Sequence, residues 1–374
     1  MKNKVIIVGS GIMGLSVARA FAENNWHVSV YERNSRSLGA SIRNFGMIWP
    51  IGQTDGIFYE RAIRSREIWK QICNESGNWY NQSGSIHVAQ NELETQVMQE
   101  IADAFSSSRP VKWLSANEIL TQFPCINPDH VKGGLLSEDE MIIESRQIMH
   151  LLPGFFREKY KIDFYFDHLV TEVQTGFIKV DSKKIEADLV CICNGAEFEL
   201  LYPTVFKEYF TKCQLQMLRI ISQPNDYRLG PSVCGGLSLI HYKSFSVAST
   251  LPLLKKYYES AYDEYVKLGI HVMISQNQIG ELTIGDSHEY GSDFLPFDST
   301  HTNRLVLDYL EKLVILKDWT QIQTWNGIYS KLLSGSTGFN NEIEKNVWII
   351  NGVGGAGMTL SLAYAEDFIS RVTI

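Results

Sequence analysis

The sequence predicts an α/β protein of two units: a discontinuous nucleotide-type domain on a parallel sheet, and an α+β domain with a mainly antiparallel sheet. Two observations predict it. Short, apolar runs rich in β-branched residues occur at the start (Val5–Val8), near the middle (Leu189–Cys193) and near the end (Val347–Ile350), and such runs suit strands buried on both faces of a parallel sheet. The first and last run straight into glycine-rich turns followed by helical periodicity, whereas the intervening segments carry no nucleotide-type signature. At 374 residues the chain also exceeds the ~250–300 at which a single core stops growing.

Taken in order, Val5–Val8 is a strand, and Leu15, Val17, Ala18, Phe21 and Ala22 recur at helical spacing after it. His27–Tyr31 is the second strand and ends at Glu32, which completes a βαβ start. Residues Phe58–Cys73 read as a helix. A polar middle punctuated by Pro110, Pro124 and Pro128 follows, then short strands at Asp163–Phe166, Leu169–Val173 and Phe177–Val180. The stretch Leu237–Gly285 mixes strands, among them His271–Ser275, with a helix near Leu253–Leu268. Residues 1–80, 140–206 and 324–374 are therefore assigned to the nucleotide domain, and 81–139 and 207–323 to the second, substrate domain.

Composition excludes several classes. Hydrophobic content of 44% and charged content of 20% are those of an ordinary globular protein. A net charge of −8 opposes nucleic-acid binding, which needs a basic surface to displace counterions. No apolar run of about 20 residues predicts a membrane span. The six cysteines form no C-x-x-C pair, so they are expected as buried reduced thiols, with no metal site and no disulfide scaffold. The first 22 residues resemble a secretory signal superficially, but Gly9, Gly11, Gly14 and Arg19 interrupt it; a cytoplasmic location is expected. Nothing here specifies an oligomeric state.

The chemistry begins at Gly9-Ser-Gly11-Ile12-Met13-Gly14, a Rossmann-like fingerprint. Gly9 permits the tight turn, Gly11 the approach of a pyrophosphate, and Gly14 the packing of helix on strand. The helix start then offers N–H groups and a positive dipole end to the phosphates. Glu32, 23 residues after Gly9, is placed to accept ribose hydroxyls, with Arg33 and Asn34 beside it. These residues do not separate NAD from FAD; two further segments do. Leu38–Gly46 is a small-residue loop containing Ser41, Ile42 and the cation Arg43, suited to backbone passing close to a flavin. Gly352–Leu360, with Gly354, Gly355, Gly357, Met358 and Thr359, opens a second glycine-lined helix whose positive end would stabilise the charge that a flavin gains on reduction. Bound FAD is the expectation.

With these motifs the chain resembles the glycine oxidase, sarcosine oxidase and D-amino acid oxidase family of flavoenzymes over nearly its whole length. It is similar in particular to the branch associated with aminophosphonate catabolism, through Gly39–Gln53, Leu239–Phe245, Gly280–Gly291 and Gly352–Ser361. The resemblance implies that Val170 meets the adenine and that Asn194 and Gly195 line the cofactor. It implies hydride transfer from an amine-bearing carbon to flavin N5, with oxygen as acceptor giving hydrogen peroxide, and a small amine as substrate. One departure matters. Where glycine oxidases carry Trp-x-Gly-Leu-Arg, this chain reads Trp325-Asn-Gly327-Ile-Tyr329-Ser-Lys331, so the carboxylate-binding Arg is replaced by Tyr329. Scattered point-charge donors such as Lys331, Arg43 and His288 suit a tetrahedral phosphonate, which makes an anionic aminophosphonate the expected substrate. Because Cys234 is the last cysteine, the late covalent flavin link of monomeric sarcosine oxidases is excluded and FAD is expected to be non-covalent. Further pocket candidates are Tyr242, His271 and Tyr290; for His288 and Tyr290 a core-capping role stands beside substrate contact. Trp325 reads as packing.

Overall fold

The computed structural model describes residues 2–372, so positions 1, 373 and 374 of the expected segments lie outside it. The first strand, β1 (Lys4–Val8), is flanked by β2 (His27–Tyr31) and by Leu189–Ile192, both parallel to it. Strand Val347–Asn351 adds beyond Leu189–Ile192, and Asp163–Tyr165 beyond β2, both in parallel register. Phe339–Glu344 closes one edge antiparallel, giving a sheet of six. Four of the five residues of β1 are buried, as a strand covered on both faces requires.

Helix α1 (Ile12–Glu23) is buried from Ile12 through Phe21, because the last helix, Gly357–Val372, packs on its outer side. Helix α2 (Ile57–Ser76) packs on the same final helix and ends at Gly77, whose φ of +68° is the left-handed terminus that glycine adopts without strain. Ion pairs fasten the two chain ends together: Arg19 to Glu366 at 2.5 Å, Arg61 to Asp367 at 2.6 Å and Arg64 to Asp367 at 2.7 Å.

The second large sheet has nine strands. Only Ser232–Gly235 beside Ser85–Ala89 is parallel, and its other pairings are antiparallel. Its longest pairing joins Phe210–Ile220 to Gln321–Leu332. The boundary expected at 323/324 therefore falls inside a strand of this sheet, because backbone pairing with Phe210–Ile220 holds Trp325–Lys331 within it. The boundary at 206/207 likewise falls within the helix Pro203–Tyr209, and that at 80/81 within the short strand Tyr80–Asn81. The helix expected near Leu253–Leu268 is two, Leu251–Ala261 and Asp263–Lys267. All six cysteines are buried free thiols. Among the described residues, no helix is long and apolar enough to cross a membrane.

Candidate active site

Both glycine-lined helix openings meet one cavity of about 1260 Å³, larger than the ~300–1,000 Å³ that holds one drug-sized ligand. At one end, Gly9 turns with φ of +103°, and a Cβ there would sit 2.5 Å from the Cys193 carbonyl oxygen. The loop after β2 folds back over the helix start, where the Ile12 N–H donates to Ser41 Oγ at 2.9 Å. Glu32, buried at the end of β2, accepts from the Ser10 N–H and hydroxyl, both at 3.0 Å, and from the Asn34 N–H and side-chain amide at 3.0 and 3.1 Å. Those four donors fill the roughly four lone-pair sites of a carboxylate, so ribose hydroxyls reaching Glu32 would displace the two side-chain donors.

The second opening lies beside the first. A Cβ on Gly357 would touch Ile12 Cγ2 at 3.4 Å. Thr359 Oγ1 accepts from the Trp49 N–H at 2.9 Å, and the Met358 carbonyl from Trp69 Nε1 at 2.8 Å. Neither helix has an acidic residue in its first turn, which leaves both positive ends for an anionic or electron-rich ligand. The residues present thus fit a dinucleotide. Asn351 stitches the junction: its amide donates to the Gly195 carbonyl at 2.8 Å, and its Oδ1 accepts from the Gly352 N–H and from Ser330. This couples the ends of two parallel strands to the antiparallel sheet.

Most of the expected residues line this cavity: Gly9, Gly11, Ile12, Met13, Glu32, Arg33, Asn34, Ser41, Arg43, Val170, Asn194, Gly195, Gly354, Gly355, Gly357, Met358 and Thr359. So do Tyr242, His271, His288, Tyr329 and Lys331. Three do not. Gly14 faces the turn, where an added Cβ would stand 1.9 Å from the Gly9 carbonyl oxygen, so its part is helix packing. Ile42 packs into the apolar core of the parallel-sheet unit. Tyr290 is 51% exposed outside the cavity wall, with its hydroxyl accepting from Lys331 Nζ at 3.1 Å.

The far end of the cavity is polar. His241, His271 and His288 stack with ring centroids 3.8, 4.6 and 5.0 Å apart. Directly behind them is Asp286, with Oδ1 3.1 Å from His271 Nε2 but making no hydrogen bond. His271 and Asp286 are opposite residues whose backbones exchange both hydrogen bonds. The Gly269 carbonyl lies 3.0 Å from His288 Nδ1; it can only accept, so Nδ1 carries the hydrogen and Nε2 the lone pair. Burial pushes His288 down to about 4, assisted by Lys331. It drives His241 and His271 well below the usual imidazole range too, with the neighbouring rings adding to it. Burial raises the Asp286 carboxyl strongly. His241 is exposed, but toward the cavity interior. Tyr329, where glycine oxidases carry Arg, lies against Gly354 and Gly355 and is held neutral by burial.

Sequence spacing offers no sign of a metal set, yet the ligand atoms of the three histidines lie within 4.8 Å of one another. The three rings lie face against face, inclined to one another by 23, 33 and 46°. The positive charge of Lys331, which already disfavours a cation on His241 and His288, opposes a metal ion as well. His241, Asp286 and Asn351 are the residues that sequence reasoning leaves unassigned. Asp286 lies inside the Gly280–Gly291 motif and Asn351 immediately before the late glycines, which are the available signals.

The family described as "DAO: FAD dependent oxidoreductase" matches residues 4–371. The chain belongs to this family. FAD is accordingly its cofactor, and it is an FAD-dependent oxidoreductase. Among solved structures, glycine oxidase from Bacillus cereus superposes with a TM-score of 0.79 at 16% identity, covering 100% of this chain and 95% of that one. L-proline dehydrogenase from P. horikoshii gives 0.78 at 18% identity, covering 100% and 93%. At these identities the likeness is one of fold. A D-amino acid dehydrogenase from Helicobacter pylori is 22% identical over 268 residues, which are 56% of this chain and 62% of that protein. The chain thus spans less than two thirds of the length of this curated relative.

Proposed function

We propose that this DAO-family enzyme oxidises a small anionic amine, an aminophosphonate of the 2-aminoethylphosphonate type, N-methylated or hydroxylated, and passes the electrons to oxygen with release of hydrogen peroxide. The observation that carries the reading is the continuity of one cavity from the glycine-lined helix openings to a polar end that has Lys331 and three neutral imidazoles where a bidentate carboxylate fork is missing. FAD, held without a covalent bond, supplies the acceptor for the hydride leaving the carbon that bears nitrogen.

The chain's own residues do the rest. Gly9 and Gly11 admit the pyrophosphate against α1, Glu32 takes the adenosine ribose, and Gly354–Thr359 bring a positive helix end to the flavin. Lys331 attracts the substrate anion as a point charge. Tyr329, neutral and beside Gly354 and Gly355, offers a hydroxyl without competing charge. The buried rings behind it keep water out, and orientation rather than acid–base chemistry supplies most of the rate.

The test is anaerobic flavin reduction followed at the visible flavin band. 2-Aminoethylphosphonate or its N-methyl or hydroxylated derivative is expected to bleach the flavin at least ~100-fold faster, per unit concentration, than glycine or sarcosine, and oxygen is expected to restore the colour with peroxide. Bleaching by glycine and sarcosine alone would overturn the substrate. The similarity to a D-amino acid dehydrogenase and an L-proline dehydrogenase favours a second reading, a non-oxygen acceptor; reoxidation by a quinone or dye with none by oxygen would establish that reading instead.

A further inference from the structure

The imidazole stack is an unusual lining for a site that must hold an anion, because all three rings are neutral at rest. We propose that His241, His271 and His288, backed by Asp286 and flanked by Lys331, form a subsite for a dianionic tetrahedral group and take up one proton as that group binds. The proposal rests on the anionic-substrate reading and names how the anion is recognised.

Geometry carries the case. Rings 3.8 to 5.0 Å apart stack readily when neutral, but a second positive charge among them would be repelled. The cluster therefore has room for one added proton and no more. Burial holds the His271 ring neutral and raises the Asp286 carboxyl 3.1 Å from it, which favours a resting cluster without net charge. The lone pair on His288 Nε2 is left free by the Gly269 carbonyl, and His241 faces the open cavity. An anion within about 4–6 Å favours the charged form of a ring. Lys331 balances one charge of a dianion; an imidazolium balances the second.

Most titratable groups around the stack are already neutral or paired; Asp293, which also lines the cavity, accepts from the Ser292 hydroxyl at 2.9 Å. From the turn that carries His241, Tyr242 is held neutral by burial and Lys243 donates to the Gly335 carbonyl. From the strand Phe210–Ile220, Cys213 is held protonated by burial and Lys212 is paired with Glu199 at 2.5 Å. Cys234 and His87, from the two strands beneath, are held neutral by burial. Tyr329 is neutral, Tyr290 lies under the Lys331 ammonium, and Arg43 is engaged with the Asn326 carbonyl at 3.2 Å.

Sulfate tests this on the purified holoenzyme, since it remains a dianion from pH 6 to 9 and cannot be oxidised. Calorimetric titration in two buffers of different ionisation heat is expected to give net proton uptake on sulfate binding, largest at the acid end of pH 6 to 9, with Kd weakening as pH rises. His241→Asn and His288→Asn, each checked for an unchanged flavin spectrum, are expected to lower the uptake and flatten the pH dependence. A pH-independent Kd, no binding at tens of millimolar, or unchanged uptake in both variants would overturn it. Turnover is not involved: sulfate-linked uptake without aminophosphonate oxidation would sink the substrate reading alone, and oxidation without uptake would sink this one alone.

Discussion

Gly14→Ala is expected to yield a protein that is colourless after purification and less stable by about 3 kcal/mol or more, at the upper end of the cost of overpacking a close-packed site. The new Cβ would stand 1.9 Å from the Gly9 carbonyl oxygen and 3.5 Å from Cys193 Cβ. No side-chain rotation relieves a clash with backbone, so α1 must lift from the sheet. That movement pulls the Gly9 turn away from the end of Leu189–Ile192, which it now meets so closely that a Cβ on Gly9 itself would also collide. The Ile12 N–H, Ser41 and Gly357 all converge at this helix start, so the damage reaches both openings. Flavin content from visible absorbance, with thermal unfolding, checks it; a yellow, fully stable variant would show that helix and turn are not packed as described.

The second large effect concerns Glu140. Its oxygens accept from the Ile51 N–H at 2.9 Å and the Ser85 hydroxyl at 3.0 Å in a buried pocket, and Ile51 belongs to the turn that carries Trp49 and Gly52 into the cavity wall. Burial pushes the carboxyl up to about 7, with Asp139 adding like charge. A group whose pKa is raised on folding contributes stability that is fully present below its unfolded value, 4.5, and is lost as pH rises through the folded value. From pH 4.5 to 8 Glu140 therefore withdraws about 3 kcal/mol. Glu140→Gln imitates the protonated acid, keeping an acceptor for Ile51 and a polar neighbour for Ser85. It is expected to match the parent near pH 5 and to exceed it by about 3 kcal/mol at pH 8. Denaturant unfolding at the two pH values checks this; equal stabilities at pH 8 would contradict it. Buried histidines shift the acid side of both proteins equally, so the difference between them isolates Glu140.

The parts of the site that are legible in the sequence are those built from contiguous residues. A glycine turn between a strand and a helix, with Glu32 at the next strand end, announces its geometry because each residue's task is local: φ, close approach, capping. The late glycines are legible for the same reason. The imidazole stack is not. His241, His271 and His288 follow no period, and they meet only because the backbones of His271 and Asp286 pair across two antiparallel segments while a short turn returns His241 over them. Trp325–Lys331 shows a different failure. The motif reads as belonging to the late nucleotide segment, but eleven residues of antiparallel pairing with Phe210–Ile220 place it on the substrate sheet, and long-range register of that kind leaves no local mark. Gly14 and Ile42 belong to the ligand motifs without lining the cavity, because motif membership does not distinguish a residue that touches a ligand from one that positions its neighbours.

In the proposed arrangement two helix openings, one from each end of the chain, grip a single FAD whose reactive ring faces the imidazole end of the cavity. The most direct measurement is an electron-density map of the yellow holoenzyme. The map is expected to show adenosine beside Glu32, pyrophosphate over Gly11, and the isoalloxazine between Gly354–Thr359 and the Tyr329–Lys331 strand. Density for the ring that lies away from residues 352–359, or a dinucleotide outside this cavity, would contradict it.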